Sequence, residues 1–400
     1  MKKIAIAGFG MEGKALAKRF EKTHDVHVFD EAPIEDVQGM SVHTHNTLRI
    51  PQDFPVVYKS PGIPTHKLTT GSNTVTTNLT NDVLKAVRDK SIGVTGTKGK
   101  STVASLIHHV LVEAGHTSVL FGNIGVADIS LIEKNSDTEV FVFELSSYQL
   151  EHVTHAPKIA VFTNFFPEHL NHHGSLDAYR SAKERITTYQ TEEDVFIPGP
   201  DITVKTKARV VQPPQTKPFE TTLQGDHNQT NCLLAFSALT AYGIDEATIR
   251  KHIASFKPLP YRLECVGTYA DVTFYDDSLA TVPEATLASI RALKHIDTLI
   301  VGGEDRGVSF ESLAKQLQAT EIATFIALPD TGEKITAEVR NKTFFVHSME
   351  EAVSLAYEKT PKGGVVLLSN ASPSFNVFTD YKDKSGRYRN AIERCAQERT

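Results

Sequence analysis

One stretch constrains this chain more than any other: Ser91-Ile92-Gly93-Val94-Thr95-Gly96-Thr97-Lys98-Gly99-Lys100-Ser101. An apolar strand pattern runs straight into a glycine-rich turn, and an amphipathic helix pattern follows to about Gly115. Glycines let consecutive backbone N–H groups curl around phosphate oxygens, and the helix N-terminus adds positive potential there. Lys100 is placed to reach β- and γ-phosphates, and Ser101 to ligate Mg²⁺. The strict pattern has glycine where this chain has Val94, so the match is to a relaxed form. The bland alternative, a glycine-rich turn with a chance Lys-Ser pair, is disfavoured by the flanking strand and helix.

A second loop of this kind opens the chain. Gly8-Phe9-Gly10-Met11-Glu12-Gly13 follows a strand pattern and starts a helix pattern, and Asp30 ends the next strand. Alone, this arrangement points to a dinucleotide and an NAD(P)-dependent oxidoreductase. The signal is weak, because any tight strand-to-helix turn near phosphate favours the same glycines. A second phosphate loop at Gly96 makes hydride transfer the less economical reading. A first domain that holds the pyrophosphate of a nucleotide-linked substrate accounts for both loops.

Short apolar runs alternate with helical patterns in three blocks, residues 1–90, 91–257 and 258–400. Strands are expected at Ile4 to Ala7, Val26 to Asp30, Val56 to Lys59, Thr117 to Phe121, Val140 to Glu144 and Ile159 to Thr163. Further strands are expected at Val272 to Tyr275, Thr298 to Val301, Ala323 to Leu328 and Val365 to Leu368. This alternation predicts an α/β chain of three domains with parallel, doubly wound sheets in all three. Phe256-Lys257-Pro258-Leu259-Pro260 reads as the linker before the third block. A formal net charge of -6 gives no basic field for nucleic acid. Three scattered cysteines form no CxxC pair, which fits a reducing cytoplasm rather than a disulfide or zinc framework. No apolar run approaches the ~18 residues of a membrane span, so a cytoplasmic protein without membrane contact is expected.

With these features in view, the chain resembles the Mur ligase family, on an ordered series of motifs. The series runs through Gly8 to Gly13, Ser60 to Pro64, Gly96 to Thr102, Gly122-Asn123-Ile124-Gly125 and Glu144 to Glu151. It continues with Asn164 to His169, Tyr179-Arg180-Ser181-Ala182-Lys183, His227-Asn228, Leu259-Pro260-Tyr261-Arg262, Asp276-Asp277-Ser278 and Leu368-Ser369. The resemblance covers nearly the whole chain. It implies a Rossmann-like UDP-binding domain, a central P-loop ATPase domain and a Rossmann-like amino-acid-binding domain. The implied reaction is ATP-dependent amide formation through an acyl phosphate, with glutamate added to UDP-N-acetylmuramoyl-L-alanine in peptidoglycan precursor synthesis. A monomer is expected.

Site residues follow from the same resemblance. Gly96, Thr97, Lys98, Gly99, Lys100, Ser101 and Thr102 would hold the ATP phosphates, Asn228 the adenine and Asp277 the ribose. Arg262 would reach the γ-phosphate when the third domain closes. Two Mg²⁺ sites are implied, with Ser101 at the first and Glu144 and His169 at the second. Lys183 would carry a CO₂-derived carbamate that supports the second metal; its local pattern alone reads as a solvated lysine. Gly10, Met11, Glu12, Asp30, Glu31, Gly62, Asn123, Ser146, Gln149 and His169 would face the UDP-linked substrate. His172 and His173 read as ordinary surface residues, since the HxxHH run has no nearby cysteine or acidic partner at zinc-site spacing.

The amino-acid pocket departs from the family pattern. Where D-glutamate-adding members carry lysine after Asp-Ser, this chain has Leu279, and a second lysine of theirs is replaced by Arg306, a pattern that resembles an L-glutamate-adding variant. A point charge exchanged for a planar fork is not a conservative swap. Arg306, Ser374 and Tyr381 are the expected amino-acid contacts, and the pocket leaves D- and L-glutamate both open. A Mur-type ligase for another amino acid and a non-catalytic UDP- or ATP-binding sensor are the competing readings. Intact Lys100, Glu144, His169, Lys183 and Arg262 weigh against the sensor.

Overall fold

Buried β-branched and aromatic runs build the sheets. In Lys2–Ala7 the last four residues are buried, and in Val140–Glu144 every residue is, as expected of parallel strands covered on both faces. The computed structural model describes residues 1–34, 37, 39–44, 47–122, 137–293 and 295–399. Asn123 lies outside the described residues, together with the rest of its motif from Ile124 to Gly125. The chain divides into two compact units, Met1–Thr221 with Asn228–Phe256, and Thr222–His227 with Lys257–Thr400.

Among the described residues, the first unit contains two parallel sheets and a two-stranded ribbon. The first sheet has the order Ser41–Thr44, His24–Asp30, Lys2–Ala7, Val56–Lys59, Val75–Thr77. The second has the order Arg209–Val210, Val195–Pro198, Ile159–Phe162, Ser91–Thr95, Val140–Glu144, Ser118–Gly122. Ser91–Thr95 therefore lies between two strands that come later in the chain. The strand order reverses beside it, which opens a crevice at its carboxyl end. The Gly96–Gly99 loop sits at that point. Glu144 ends one neighbouring strand and Thr163 follows the other, with Glu144 in register with Val94 and Phe162 with Thr95. Apolar side chains of both sheets, among them Ile6, Phe143, Phe162 and Phe196, form one contiguous cluster with Leu16 and Val83 of the Met11–Phe20 and Leu79–Val87 helices.

Helix periodicity explains the position of Lys183. Ser175 caps the Leu176–Thr188 helix by accepting from the Ala178 amide. Its buried residues, Tyr179, Ala182, Lys183, Ile186 and Thr187, recur at three- and four-residue spacing. Lys183 lies on that inward stripe, so the solvated reading of its local sequence is corrected. A lysine among charged neighbours obscured a stripe otherwise marked by only a few apolar side chains.

The second unit, among the described residues, is one sheet with the order Glu264–Tyr269, Val272–Asp277, Val365–Ser369, Thr298–Val301, Thr324–Ala327, Thr343–Phe345. The expectation of a wholly parallel sheet fails at one edge, where Glu264–Tyr269 runs antiparallel to Val272–Asp277. The reason is local. Ala270 and Asp271 both adopt positive φ, 47° and 64°, which makes the tight two-residue connection that only antiparallel neighbours can use. Among the described residues no helix is long and apolar enough to cross a membrane.

Phe143 is fully buried in the cluster that joins both sheets of the first unit. Phe143→Ala is expected to destabilise this unit by about 3–5 kcal/mol, read as a shift of its transition in chemical denaturation.

Candidate functional site

The phosphate-type loop is held by side chains that leave the sheet beside it. Two of its glycines adopt backbone angles closed to most residues, φ 146° at Gly96 and 82° at Gly99. A Cβ on Gly96 would stand 1.9 Å from Thr163 Oγ1, and one on Gly99 would stand 2.5 Å from Asn231 Oδ1. Asn164 and Thr163 fasten the two residues between them. The Lys98 amide donates to Asn164 Oδ1 at 2.9 Å, while Thr163 Oγ1 and Asn164 Nδ2 donate to the Lys98 carbonyl at 2.6 and 3.0 Å. The Thr97 amide donates to the Asn164 carbonyl at 2.9 Å, and the Phe166 amide donates to Thr97 Oγ1 at 3.0 Å.

Five expected residues gather around this loop. Lys183, 1 % exposed, donates from Nζ to the Gly96 carbonyl at 2.6 Å. Burial, followed by the charge of Lys100, pushes its ammonium well below the usual lysine range. Lys100, the first residue of the Lys100–Glu113 helix, donates to the Thr97 carbonyl at 3.0 Å. Ser101 is buried in the first turn of that helix, and Glu144 is buried at the end of its strand. Glu144 is among the charges acting on Lys183, so this buried carboxylate stands within electrostatic reach of the lysine. Asn228 is buried in the Asp226–Tyr242 helix and accepts from Asn231 Nδ2 at 2.8 Å. This places Asn228 one side chain away from the Gly99 turn.

His169 has left-handed backbone angles and precedes the short Leu170–His173 helix. Tyr148 OH lies 2.8 Å from His169 Nδ1, which leaves Nε2 as the outward nitrogen. Burial, reinforced by Lys183, Lys100 and Lys98 against the opposing Glu168, holds the imidazole down at about 4, in its neutral form. Glu168 carries no sequence signal of its own. Its carboxylate bridges Lys98 Nζ at 2.6 Å and His169 Nε2 at 3.6 Å. Only the folded loop reveals this, because the lysine is 70 residues away in sequence.

His172 and His173 are corrected. They are not ordinary surface residues: their side chains are 6 % and 2 % exposed, and both face Glu151 at 3.2 and 3.1 Å. The acidic partner comes from a separate segment, so spacing within HxxHH had no means of showing it.

At the first glycine loop, Asp30 Oδ2 accepts from the Phe9 amide at 2.7 Å and Oδ1 accepts from the Ala32 amide at 2.9 Å. The carboxylate thus shapes the loop itself. Gly10 and Gly62 border open space, and Met11 is 83 % exposed between the loop and the helix it begins. Glu31 pairs with Lys67 at 3.6 Å on the surface. Ser146 and Gln149 form a capping box, with the Ser146 amide donating to Gln149 Oε1 at 3.0 Å and the Gln149 amide to Ser146 Oγ at 3.2 Å. Gln149 also acts on Glu12, lowering its carboxyl against the effect of burial.

In the second unit, the Asp277 carboxylate is buried and accepts from Ser289 Oγ, Ser369 Oγ and the Leu263 amide at 2.6, 2.8 and 3.1 Å. Burial raises it to about 6, against the Ser289, Ser369, Leu263 and Arg262 contributions that lower it. Arg306 is exposed, pairs with Glu304 at 2.7 Å and lies over the Phe375 ring. Ser374 is buried near Asn370, and Tyr381 packs edge-on to Tyr261. Lys384 passed unnoticed in the sequence. It is buried, donates to the Gly302 carbonyl at 2.9 Å at the head of the Arg306 loop, and is lowered to about 7 by burial.

The comparisons agree in one direction. Residues 94–209 match the Mur ligase middle domain, and residues 261–371 match the Mur ligase glutamate ligase domain. A UDP-N-acetylmuramoyl-L-alanine--L-glutamate ligase of Micromonospora sp. is 34% identical over 85% of this chain and 83% of its own. A UDP-N-acetylmuramoylalanine--D-glutamate ligase of Caldicellulosiruptor bescii is 30% identical over 98% of this chain and 97% of its own. Among solved structures, a MurF ligase of Thermotoga maritima in complex with ADP superimposes with a TM-score of 0.63 at 14% identity, covering 100% of this chain and 96% of that one.

Two expectations follow from the geometry. Gly99→Ala forces a side chain into a left-handed turn against Asn231, a strain of about 1–3 kcal/mol. Binding of a fluorescent ATP analogue is expected to weaken accordingly while the fold is retained. Glu12 supplies the second. Burial, against Gln149 and Lys59, raises its carboxyl from 4.5 to about 7. The folded chain holds a proton that the unfolded chain releases, so this group's contribution is present below 4.5 and is lost as pH rises towards 7. Glu12→Gln removes that loss, and its melting temperature is expected to gain on the wild type between about pH 5 and pH 8.

Proposed function

This chain belongs to the Mur ligase family, and we propose that it is an ATP-dependent, ADP-forming ligase that adds glutamate to UDP-N-acetylmuramoyl-L-alanine. The observation that carries this reading is the Gly96–Lys100 loop, gripped by Thr163, Asn164 and Lys183 at the switch point of a parallel sheet. Relatives named for this reaction match over most of the chain. We assign residues 1–90 to the UDP-linked substrate, 91–257 to ATP and 258–400 to the amino acid.

Activation needs a carboxylate to attack the γ-phosphorus of ATP, which crowds negative charge into one place. Lys100 and Lys98 bring cations to the loop, and its backbone amides orient the phosphates. The amine then attacks the acyl carbon, and phosphate leaves from a tetrahedral intermediate. Arg262, Asp277 and Asn228 are the further ATP-binding residues of this reading. Arg306, Ser374 and Tyr381 are its glutamate-binding residues.

The donor set fits Mg²⁺. A buried carboxylate at Glu144 and a hydroxyl at Ser101 are oxygen ligands that a hard divalent cation accepts, the neutral imidazole of His169 would be an additional, softer ligand, and a buried carboxylate calls for a cation. When bound, Mg²⁺ neutralises charge on the transferring phosphoryl group. Lys183 is proposed to carry a carbamate. Its burial beside Lys100 favours the neutral amine, whose lone pair attacks CO₂ and releases one proton. The product is an anionic arm in place of the neutral amine.

Relatives named for D-glutamate and for L-glutamate match at similar identity, so the amine donor is tested with both enantiomers. Phosphate release is expected only with UDP-N-acetylmuramoyl-L-alanine, ATP and one glutamate enantiomer together; turnover independent of the acceptor would sink the reading. Lys100→Ala is expected to lower kcat by roughly 10²-fold or more. In ¹³C-bicarbonate, a carbamate resonance is expected that Lys183→Ala lacks. Unchanged activity of that variant under bicarbonate depletion would remove the carbamate.

A further inference from the structure

Away from the phosphate loop, the described residues of the first unit bring three ligand-type atoms to one point. Glu151 follows the short Ser147–Leu150 helix, and His172 and His173 end the Leu170–His173 helix. Glu151 Oε1 lies 3.2 Å from His172 Nε2 and 3.1 Å from His173 Nδ1, and one ligand atom from each residue falls within 4.8 Å of the others. Ligands held at ~2.0–2.1 Å around a tetrahedral cation stand ~3.3–3.4 Å apart, so two edges already approach that length.

The surroundings leave these inward atoms to a ligand. Thr65 Oγ1 donates to Glu151 Oε2 at 2.9 Å, and the buried Lys59 ammonium lies 2.9 Å from the same oxygen. Oε1 is thus the oxygen turned to the imidazoles. His173 Nε2 lies 2.9 Å from Ser147 Oγ, the kind of outer partner that fixes the tautomer of a ligating histidine. His172 supplies the independent observation. It is 7 % exposed, and its Nε2 makes no hydrogen bond, the 3.2 Å approach to Oε1 being out of alignment for one. A buried imidazole nitrogen without a partner is costly and calls for one.

We propose that Glu151 Oε1, His172 Nε2 and His173 Nδ1 form a site for a divalent transition-metal cation of the Zn²⁺ type, with water as a fourth ligand. A two-histidine, one-carboxylate set suits a borderline-soft cation better than Mg²⁺. The protonation states agree with this. Burial opposes ionisation of Glu151, yet His173 and Lys59 outweigh it and hold the carboxyl at about 2. Burial keeps His172 at about 4, in the neutral form that binds metal. The site is separate from His169: the Tyr148 ring packs on His172 at 3.9 Å while its hydroxyl meets His169 Nδ1. A cation here ties the Ser147–Leu150 and Leu170–His173 helices together, and through Glu151 reaches Lys59 at the end of the first sheet.

The test uses the full chain, stripped with a chelator and without nucleotide. Calorimetry with Zn²⁺ is expected to give one site that persists in His169→Ala and weakens by more than roughly 10-fold in His172→Gln. Zn²⁺ is expected to raise the melting temperature of the wild type but not of His172→Gln. Because that variant can misfold for other reasons, the wild type is also titrated with Co²⁺. Intense visible bands of four-coordinate Co²⁺ support the site. Weak six-coordinate bands, equal Zn²⁺ binding by wild type and His172→Gln, or loss of binding in His169→Ala each overturn it.

Discussion

Hydrogen bonds from Asn164, Thr163 and Lys183 to the backbone of Gly96 and Lys98 hold the centre of the first unit. Asn164 grips both the amide and the carbonyl of Lys98, Thr163 adds a second donor to that carbonyl, and Lys183 occupies the carbonyl of Gly96. Every buried backbone polar group needs a partner, and a loop at a sheet's carboxyl end has no neighbouring strand to supply one. Side chains from the Ile159–Phe162 strand exit and the Leu176–Thr188 helix do so instead. The same requirement explains Gly96, because Thr163 comes so close that no Cβ fits there, while at Gly99 the obstacle is Asn231.

That fastening gathers charge. Lys98, Lys100 and Lys183 converge with Glu144 and Glu168 around the loop, and burial, followed by the charge of Lys100, drives Lys183 towards its neutral form. Such crowding destabilises the folded chain by itself and is tolerated where a polyanion is to be bound. Glu168 moderates it by bridging Lys98 and His169. The phosphate chemistry of the family and the local electrostatics therefore make the same demand on these residues.

Strong local patterns were legible. Val56–Lys59, Val140–Glu144 and Thr298–Val301 stand where continuous apolar runs bounded by polar residues placed them, because burial on both faces leaves that mark in the sequence. Weak or short elements were not. Val195–Pro198 ends in proline and Arg209–Val210 is an exposed two-residue edge strand; both owe their existence to neighbours already in the sheet. Asp30 and Gln149 were read as facing substrate, yet their hydrogen bonds first serve the Phe9 amide and a helix cap. A carboxylate or amide has the same identity in either role, and only its partners distinguish them.

The sequence by itself determined that this is an α/β chain with two strand-glycine-helix loops, and its ordered motifs assigned it to a ligase family. Those features are local: a few neighbouring residues dictate the turn, the strand and the helix start. Tertiary structure alone decided which distant groups meet. It buried Lys183 against Gly96, set Glu168 between Lys98 and His169, and turned Glu151 towards His172 and His173. Sequence spacing cannot encode such encounters, because sheet order and helix packing bring together side chains that lie from about twenty to nearly ninety residues apart.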